Sequence, residues 1–208
     1  MKRISFLLIA LTLSISACKN EKKDTKNTDT EVIETEKFVV KPEATSVKWT
    51  AYKTTDKVGV GGEFTTANFD IKSGASPQEA LNNLKFAIPV SSLFTNDATN
   101  TRDAKIKMAF FGAMLNTDLI KGNLSYVDST CIASLTMNGV THDLPLEVSI
   151  ADERRVTLTG VMNLKNWNAL EALESLNKAC FDLHKGADGV SKTWEDVAIE
   201  ISTYLRKN

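Results

Sequence analysis

Apolar and polar residues alternate along most of the chain beyond residue 45, and this period of two predicts a domain built from β-strands. Val47, Trp49 and Ala51 share one face of a first strand. The segment 57–71 contains three closely spaced glycines, which predict a strand that bends sharply or bulges. Further strands are predicted near residues 84–90, 118–127, 130–137, 140–150, 153–165 and 194–204.

Helical spacing interrupts this alternation in three places. Ser76-Pro77-Gln78-Glu79 has an N-cap residue, a proline at the first helical position and a glutamate suited to a capping box, which predicts a short helix. Residues 99–114 predict a second helix, with Asp103 placed to pair with Lys107. Leucines spaced by three and four between Leu170 and Leu183 predict a third.

The order of these elements favours an all-β fold. Asn138-Gly139 between two predicted strands is a strong signal for a tight hairpin, and most other strands are close enough in sequence to pair antiparallel. We therefore expect an antiparallel eight-stranded barrel with short helical insertions. Eight strands enclose room for side chains or for one slim ligand.

The N-terminus has the pattern of an export signal. A basic start, Met1-Lys2-Arg3, precedes the apolar run Ile4–Leu13 and the small-residue site Ile15-Ser16-Ala17-Cys18. The last four residues resemble the bacterial lipobox, so residues 1–17 are predicted to be a lipoprotein signal peptide and Cys18 the lipidated residue. An ordinary secretory signal followed by an incidental cysteine is the alternative.

Composition and charge divide the remainder of the chain. Residues 18–40 are mostly polar and charged, which predicts a flexible tether after the anchor, and residues 41–208 have the size of one domain. The protein is expected to be exported and lipid-anchored, at the outer membrane, on its periplasmic face or at the cell surface. The formal net charge of -1 at pH 7 and the lack of a basic block argue against nucleic acid as a partner.

Three stretches resemble the YceI-like family of lipocalin-shaped bacterial proteins. They are Val47–Tyr52 followed by Val58–Phe64, Thr101-Arg102-Asp103 with Phe110-Phe111 behind it, and Leu135–Leu146. The resemblance covers residues 46–204 and implies a barrel that holds a long isoprenoid chain of polyprenyl or quinone type. The chain departs from the family at Thr54-Thr55-Asp56-Lys57, where many members have a histidine, and in a long insertion over residues 166–190.

The inward faces of the predicted strands are the candidate binding apparatus. They would line an apolar cavity, and each buried methylene-sized group of a lipid would contribute about 0.8 kcal/mol. The alternative is that the same residues fill the barrel as an ordinary core. The candidate lining residues are Trp49, Phe64, Phe86, Leu135, Leu146, Val148, Leu158 and Met162.

Motifs for catalysis or metal binding are weak in this sequence. It has two histidines, His142 and His184, and lacks the nucleophile-elbow, paired-cysteine and zinc-helix motifs, so no enzyme activity, cofactor or metal is predicted. A hydrolase using His142 or Asp103 is a minor alternative. A second alternative is an interaction lipoprotein with a filled barrel, in which the insertion Asn166–Lys185 docks a partner. Cys131 and Cys180 are expected either as a disulfide or as two buried free thiols.

Overall fold

The computed structural model of the chain describes residues 37–70, 72–127 and 130–207. They belong to one compact unit, which begins at Thr35. The predicted signal peptide and Cys18 lie outside the described residues, as does most of the predicted tether. Strand β1 (Phe38–Val39) is buried, although the predicted tether extends to residue 40.

Two antiparallel sheets make up the described fold. The large sheet has ten strands in the order β4-β6-β8-β9-β10-β11-β12-β2-β3-β7, and the small one has the order β13-β1-β5. Eight of the ten strands are long, and the prediction of an all-β, antiparallel, lipocalin-like fold is confirmed. The long strands are β2 (Thr45–Lys53), β3 (Val58–Phe64), β6 (Leu84–Pro89), β8 (Leu119–Val127), β9 (Thr130–Met137), β10 (Val140–Ala151), β11 (Arg155–Asn163) and β12 (Thr193–Tyr204). The short strands are β4 (Asn68–Phe69), β5 (Ser73–Gly74), β7 (Leu93–Phe94) and β13 (Arg206–Lys207).

The two edges of the large sheet are tied together by its two shortest strands. After β3 the chain crosses to β4, which pairs with β6, and after β6 it crosses back to β7, which pairs with β3. The Thr65 N–H donates to the Ser92 carbonyl at 3.0 Å between these crossings. The sheet therefore curls into a barrel whose seam is closed by crossing connections.

The helices are short and lie in the connections. Helix α1 (Pro77–Leu81) is capped by the Ser76 hydroxyl, which accepts from the Glu79 N–H at 3.2 Å, while the Glu79 carboxylate accepts from the Ala75 N–H at 2.9 Å. Helices α2 (Arg102–Lys105) and α3 (Leu170–Ala179) follow β7 and β11. Helix α2 continues into a π-helical turn, Ile106–Phe110, and a 3-10 turn, Phe111–Ala113. Other 3-10 turns span Pro42–Ala44, Val90–Ser92, Leu164–Trp167 and Phe181–His184.

One local prediction is wrong, and of the sharp bend or bulge predicted for the glycine-rich strand the bulge is excluded. Asp103 does not pair with Lys107: its carboxylate accepts from the Thr95 N–H at 3.0 Å, and Lys107 donates to the Ser91 carbonyl at 2.8 Å, because α2 packs against the segment after β7. The glycine-rich strand has no bulge against its neighbour, since β2 and β3 pair in unbroken register from Val58 to Phe64.

Both long helical connections lie at the same end of the barrel. Strand β2 ends at Lys53 opposite Thr193, where β12 begins, and the insertion with α3 enters β12 from there. Strand β8, which follows α2, begins at Leu119 opposite Pro89, at the same end by antiparallel alternation. We call this the helical end. The opposite end, the floor, is closed by the fully buried side chains of Leu81, Leu84, Val156 and Leu205.

The β9–β10 hairpin anchors the insertion at the helical end. Asn138 and Gly139 both have positive φ, as a tight hairpin turn requires. The Asn138 side-chain amide donates to the Trp167 and Asn168 carbonyls at 3.1 and 2.9 Å, and its oxygen accepts from the Leu115 N–H at 2.8 Å. Trp167 is buried and donates to the Leu135 carbonyl at 2.8 Å. One turn residue therefore fixes both helical connections to the barrel.

Substitution of Gly74 is expected to destabilise the corner between β5 and α1. A Cβ at Gly74 would overlap the backbone of Glu79 and Ala80, whereas a Cβ at Gly61 would have its nearest neighbour, the Trp49 carbonyl oxygen, at 3.6 Å. Gly74→Ala should lower the free energy of unfolding by roughly 1–3 kcal/mol, as overpacking does, measured by urea denaturation. Gly61→Ala is the matched control and should change it by less than about 0.5 kcal/mol. Equal effects of the two substitutions would contradict this account of the corner.

Candidate functional site

The barrel encloses an apolar cavity of about 640 Å³. This volume lies within the usual range for small-molecule sites in proteins. The strands position its walls because alternate residues of each strand point inward. Side chains from all eight long strands, the short strands β4 and β7, and helices α2 and α3 contribute to the wall. The cavity is therefore built by the whole barrel and by both helical connections.

Six of the eight residues predicted to line a cavity lie on its wall. These six are Trp49, Phe64, Phe86, Leu135, Leu146 and Met162. Val148 and Leu158 are not on the wall: they pair with each other across β10 and β11, towards the floor, where Leu158 is fully buried in the core. Both side chains pack into the hydrophobic core beside the wall, and Ile201, which pairs with Leu158 in β12, lines the cavity. Contact of any of the eight with a ligand stays a prediction.

Two cross-strand pairs keep large rings against the wall. Trp49 lies opposite Gly62, and Phe86 lies opposite Gly122. A Cβ at Gly62 would stand 2.7 Å from Cε2 of Trp49, and one at Gly122 would stand 2.8 Å from Cε1 of Phe86. Because the glycines have no Cβ, the rings can occupy that space and lie flat along the sheet. The Trp49 Nε1 is buried and has no acceptor among the described residues.

The cavity opens at the helical end. Its wall residues that are exposed to solvent, Thr99, Thr101 and Leu183, all belong to the two helical connections. The charged wall residues lie in the same region, at the end of β2 and around α2. They are Lys53, Asp97, Arg102 and Lys105, and the partly buried His184 accompanies them.

Sequence reasoning missed this polar rim. Lys53 continues the period-two face of Val47, Trp49 and Ala51, so a signal for it was present in the strand pattern. Lys105 had no such signal, because its position depends on how the short helix α2 packs. Arg102 and Asp97 form an ion pair at 3.5 Å. The pKa of Asp97 is lowered, chiefly by the Thr99 hydroxyl and also by the backbone N–H groups and the charge of Arg102.

His184 has a defined tautomer at this rim. The Thr193 hydroxyl donates to the Asn177 side-chain oxygen at 2.8 Å, so its oxygen must accept from the His184 Nδ1–H, which lies at 2.7 Å. The neutral ring therefore carries its lone pair on Nε2. Burial lowers the pKa of His184, and the charges of Lys53 and Lys105 lower it further. The ring is accordingly neutral at pH 7.

The remaining chemistry-bearing residues lie apart from this rim. His142 is exposed, donates from Nδ1 to the Asp143 carbonyl at 2.9 Å, and packs edge-on against Trp167. Asp103 is bonded to Thr95. No group of three or more histidine, cysteine or acidic side chains in residues 37–70, 72–127 and 130–207 has a metal-binding arrangement. None of the helices in these residues is long and apolar enough to span a bilayer.

Comparison with known proteins yields a family and several structural relatives, including the following two. The model of the YceI-like domain matches residues 38–205. A polyisoprenoid-binding domain from Saccharophagus degradans, implicated in plant cell wall breakdown, has a TM-score of 0.60 at 10% identity, over 82% of this chain and 98% of that one. BcnA from Burkholderia cenocepacia has a TM-score of 0.51 at 16% identity, over 80% and 98% of the respective chains. No curated protein sequence matches the chain.

The cysteines of the described chain are expected to be unreactive in the folded state. Cys131 and Cys180 are both free and buried, and burial raises the pKa of Cys131 to about 11. At pH 8 only about one Cys131 in a thousand is then a thiolate, which is the reactive form. In a fragment beginning at Thr35, a thiol reagent without reductant should label neither cysteine in the native state and both in urea. Rapid native labelling of Cys131, or fewer than two labels in urea, would contradict the structure.

Proposed function

The chain belongs to the YceI-like family, and we propose that it is a non-catalytic lipid-binding protein that carries an isoprenoid-like chain in its barrel. The single observation that carries this proposal is the apolar cavity, which is open at one end and lined by aromatic and aliphatic side chains over most of its length. The structural likeness to the polyisoprenoid-binding domain from Saccharophagus degradans agrees with it. The ligand would be of polyprenyl or quinone type.

Energetics favour a long apolar ligand for such a cavity. A volume of 640 Å³ corresponds to about twenty molecules of liquid water, which would find few polar partners on these walls. A hydrocarbon chain would replace them and gain about 0.8 kcal/mol for each methylene group withdrawn from water. A run of several isoprene units therefore supplies enough stabilisation for tight binding without any directed polar contact along the chain.

The alternative of a filled barrel with a partner-docking helix has less support. The leucine stripe that suggested docking turns inward, because Leu173 and Leu176 of α3 lie on the cavity wall. Helix α3 thus covers part of the cavity at the helical end. The other leucines of the stripe, Leu170 and Leu183, are exposed, and Leu183 borders the opening.

We further propose that the protein is an exported lipoprotein held at the outer membrane through Cys18. The sequence pattern of residues 1–18 supports an anchor, as argued above. The insertion next to the opening carries exposed apolar side chains, including Phe181 at 50% and Leu183 at 57% exposure. These residues would suit a mouth that meets a lipid surface when the ligand is exchanged.

Blocking the cavity should abolish lipid carriage. Ala51 lies on the wall, whereas its neighbour Thr50 points to the outside of the barrel. Ala51→Phe should therefore strongly reduce the lipid recovered by organic extraction and mass spectrometry, while Thr50→Phe, the matched control, should retain it. Circular dichroism would check that both fold. Equal lipid recovery from the two variants, or none from the wild type even after incubation with membranes, would contradict the proposal.

Removing the proposed lipidation site should release the full-length protein from the membrane. Cys18→Ala is expected to move the chain from the membrane fraction to the soluble fraction, because no acyl chain can then be attached. Cys180→Ala keeps Cys18 and should stay in the membrane fraction. The anchor proposal fails if the Cys18→Ala protein remains membrane-bound.

A further inference from the structure

The open end of the cavity carries an uncompensated positive charge. Four charged side chains line the cavity, three cationic and one acidic. Arg102 and Asp97 neutralise each other at 3.5 Å. Lys53 and Lys105 remain, and neither forms an ion pair with a carboxylate of residues 37–70, 72–127 or 130–207. Other carboxylates near this end are already engaged: Asp182 pairs with Lys185 at 2.8 Å and Asp196 with Lys57 at 3.5 Å.

Lys53 and Lys105 act on the same small region. Burial raises the pKa of Cys180 and lowers that of His184, and the charges of Lys53 and Lys105 each act on both of these cavity-lining residues in the lowering direction. The Lys53 ammonium is held there by a hydrogen bond to the Leu183 carbonyl at 2.9 Å, which leaves two of its three protons free. Two cations that converge on one polar pocket repel each other, and a bound anion would relieve that repulsion.

His184 completes this pocket as a potential third donor. Its Nδ1–H is committed to Thr193, so only Nε2 is available to a ligand, and it donates only when the ring is protonated. The two lysines oppose protonation while the pocket is empty. A bound anion would favour the protonated ring, and Nε2–H would then be a charged hydrogen-bond donor.

We propose that the ligand of this barrel has an anionic oxyacid head group, a phosphate or carboxylate, which Lys53 and Lys105 bind at the helical end while the apolar chain fills the cavity. This inference rests on the proposed lipid-binding function and adds the class of head group to it. A neutral quinone or alcohol would leave both ammonium groups without a counter-charge. In a partly desolvated site, charge-assisted hydrogen bonds from two lysines to an anionic head group are stronger than hydrogen bonds to a neutral one.

The test compares a farnesyl chain with and without a phosphate group, and also phosphate without the chain. Farnesyl phosphate, farnesol and inorganic phosphate would be titrated into the delipidated fragment beginning at Thr35, which contains every described strand and the whole described core. Farnesyl phosphate is expected to bind about tenfold more tightly than farnesol, and added salt should shrink this difference. Inorganic phosphate should bind far more weakly than either, because it lacks the chain.

Substitution of the two lysines separates head-group recognition from chain binding. Lys53→Met and Lys105→Met keep the aliphatic stem, and the double variant should bind farnesyl phosphate no better than farnesol, with farnesol affinity unchanged. Lys53→Arg should retain the preference, which guards against a merely structural effect of losing the bond to Leu183. Lys48→Met, on the outer face of the same strand, is the matched control and should behave as wild type.

Titration of His184 by NMR gives a second readout. Its pKa should rise when farnesyl phosphate binds and should not rise with farnesol. Equal affinity of farnesol and farnesyl phosphate for the wild-type protein would overturn the head-group assignment and leave the lipid-binding proposal intact. Failure of both chains to bind would overturn the two proposals together. Binding of inorganic phosphate as tight as that of farnesyl phosphate would assign the pocket to a free anion and overturn the lipid head group.

Discussion

The space inside the barrel depends on two cross-strand pairs, in each of which an aromatic ring packs over a glycine of the neighbouring strand. An eight-stranded barrel is just wide enough for its own inward side chains to fill it. Trp49 over Gly62 and Phe86 over Gly122 remove two of the largest side chains from the lumen, because each ring takes the volume that a Cβ on the neighbouring strand would need. The same pairs shield the glycine backbone, so the wall stays ordered while the centre stays open.

Chain connectivity gives this open tube two unlike ends. Every long strand alternates in direction, and the two longest excursions, 95–118 and 164–192, both leave and return at the helical end. Tight connections and the small sheet with β1 and β13 occupy the other end, where Leu84, Val156 and Leu205 pack without access to solvent. The charged residues that line the lumen in the described part of the chain accordingly come from the helical side. The difference between a charged end and an apolar end of the cavity is therefore a consequence of topology as much as of composition.

The strand pattern predicts the barrel well because the period of two is set by burial on one side of a sheet, as in β9 and β10, and because Asn138-Gly139 fixes its turn locally. It does not predict which inward side chains pack against one another and which border open space, so it does not separate Val148 and Leu158 from the wall residues. Nor does it predict tertiary competition for polar groups: Asp103 had a helical partner four residues away but bonds to Thr95 instead. The period of two places Lys53 on the inward face of β2, so its position at the rim could be predicted. The position of Lys105 depends on a four-residue helix that local sequence hardly specifies.

The closed floor limits the length of the ligand chain that the barrel can enclose. Under the proposed function, a lipid that enters through the helical end would lead with its apolar tail, and the packed leucines would set the depth at which that tail stops. Chains that are too short leave part of the lumen empty and forfeit contact, while chains that are too long push the polar head out past the rim. Selectivity among homologous chains would then arise from depth alone, and a substitution at the floor, such as one that shortens Leu84, would shift the preferred length without touching any group at the mouth.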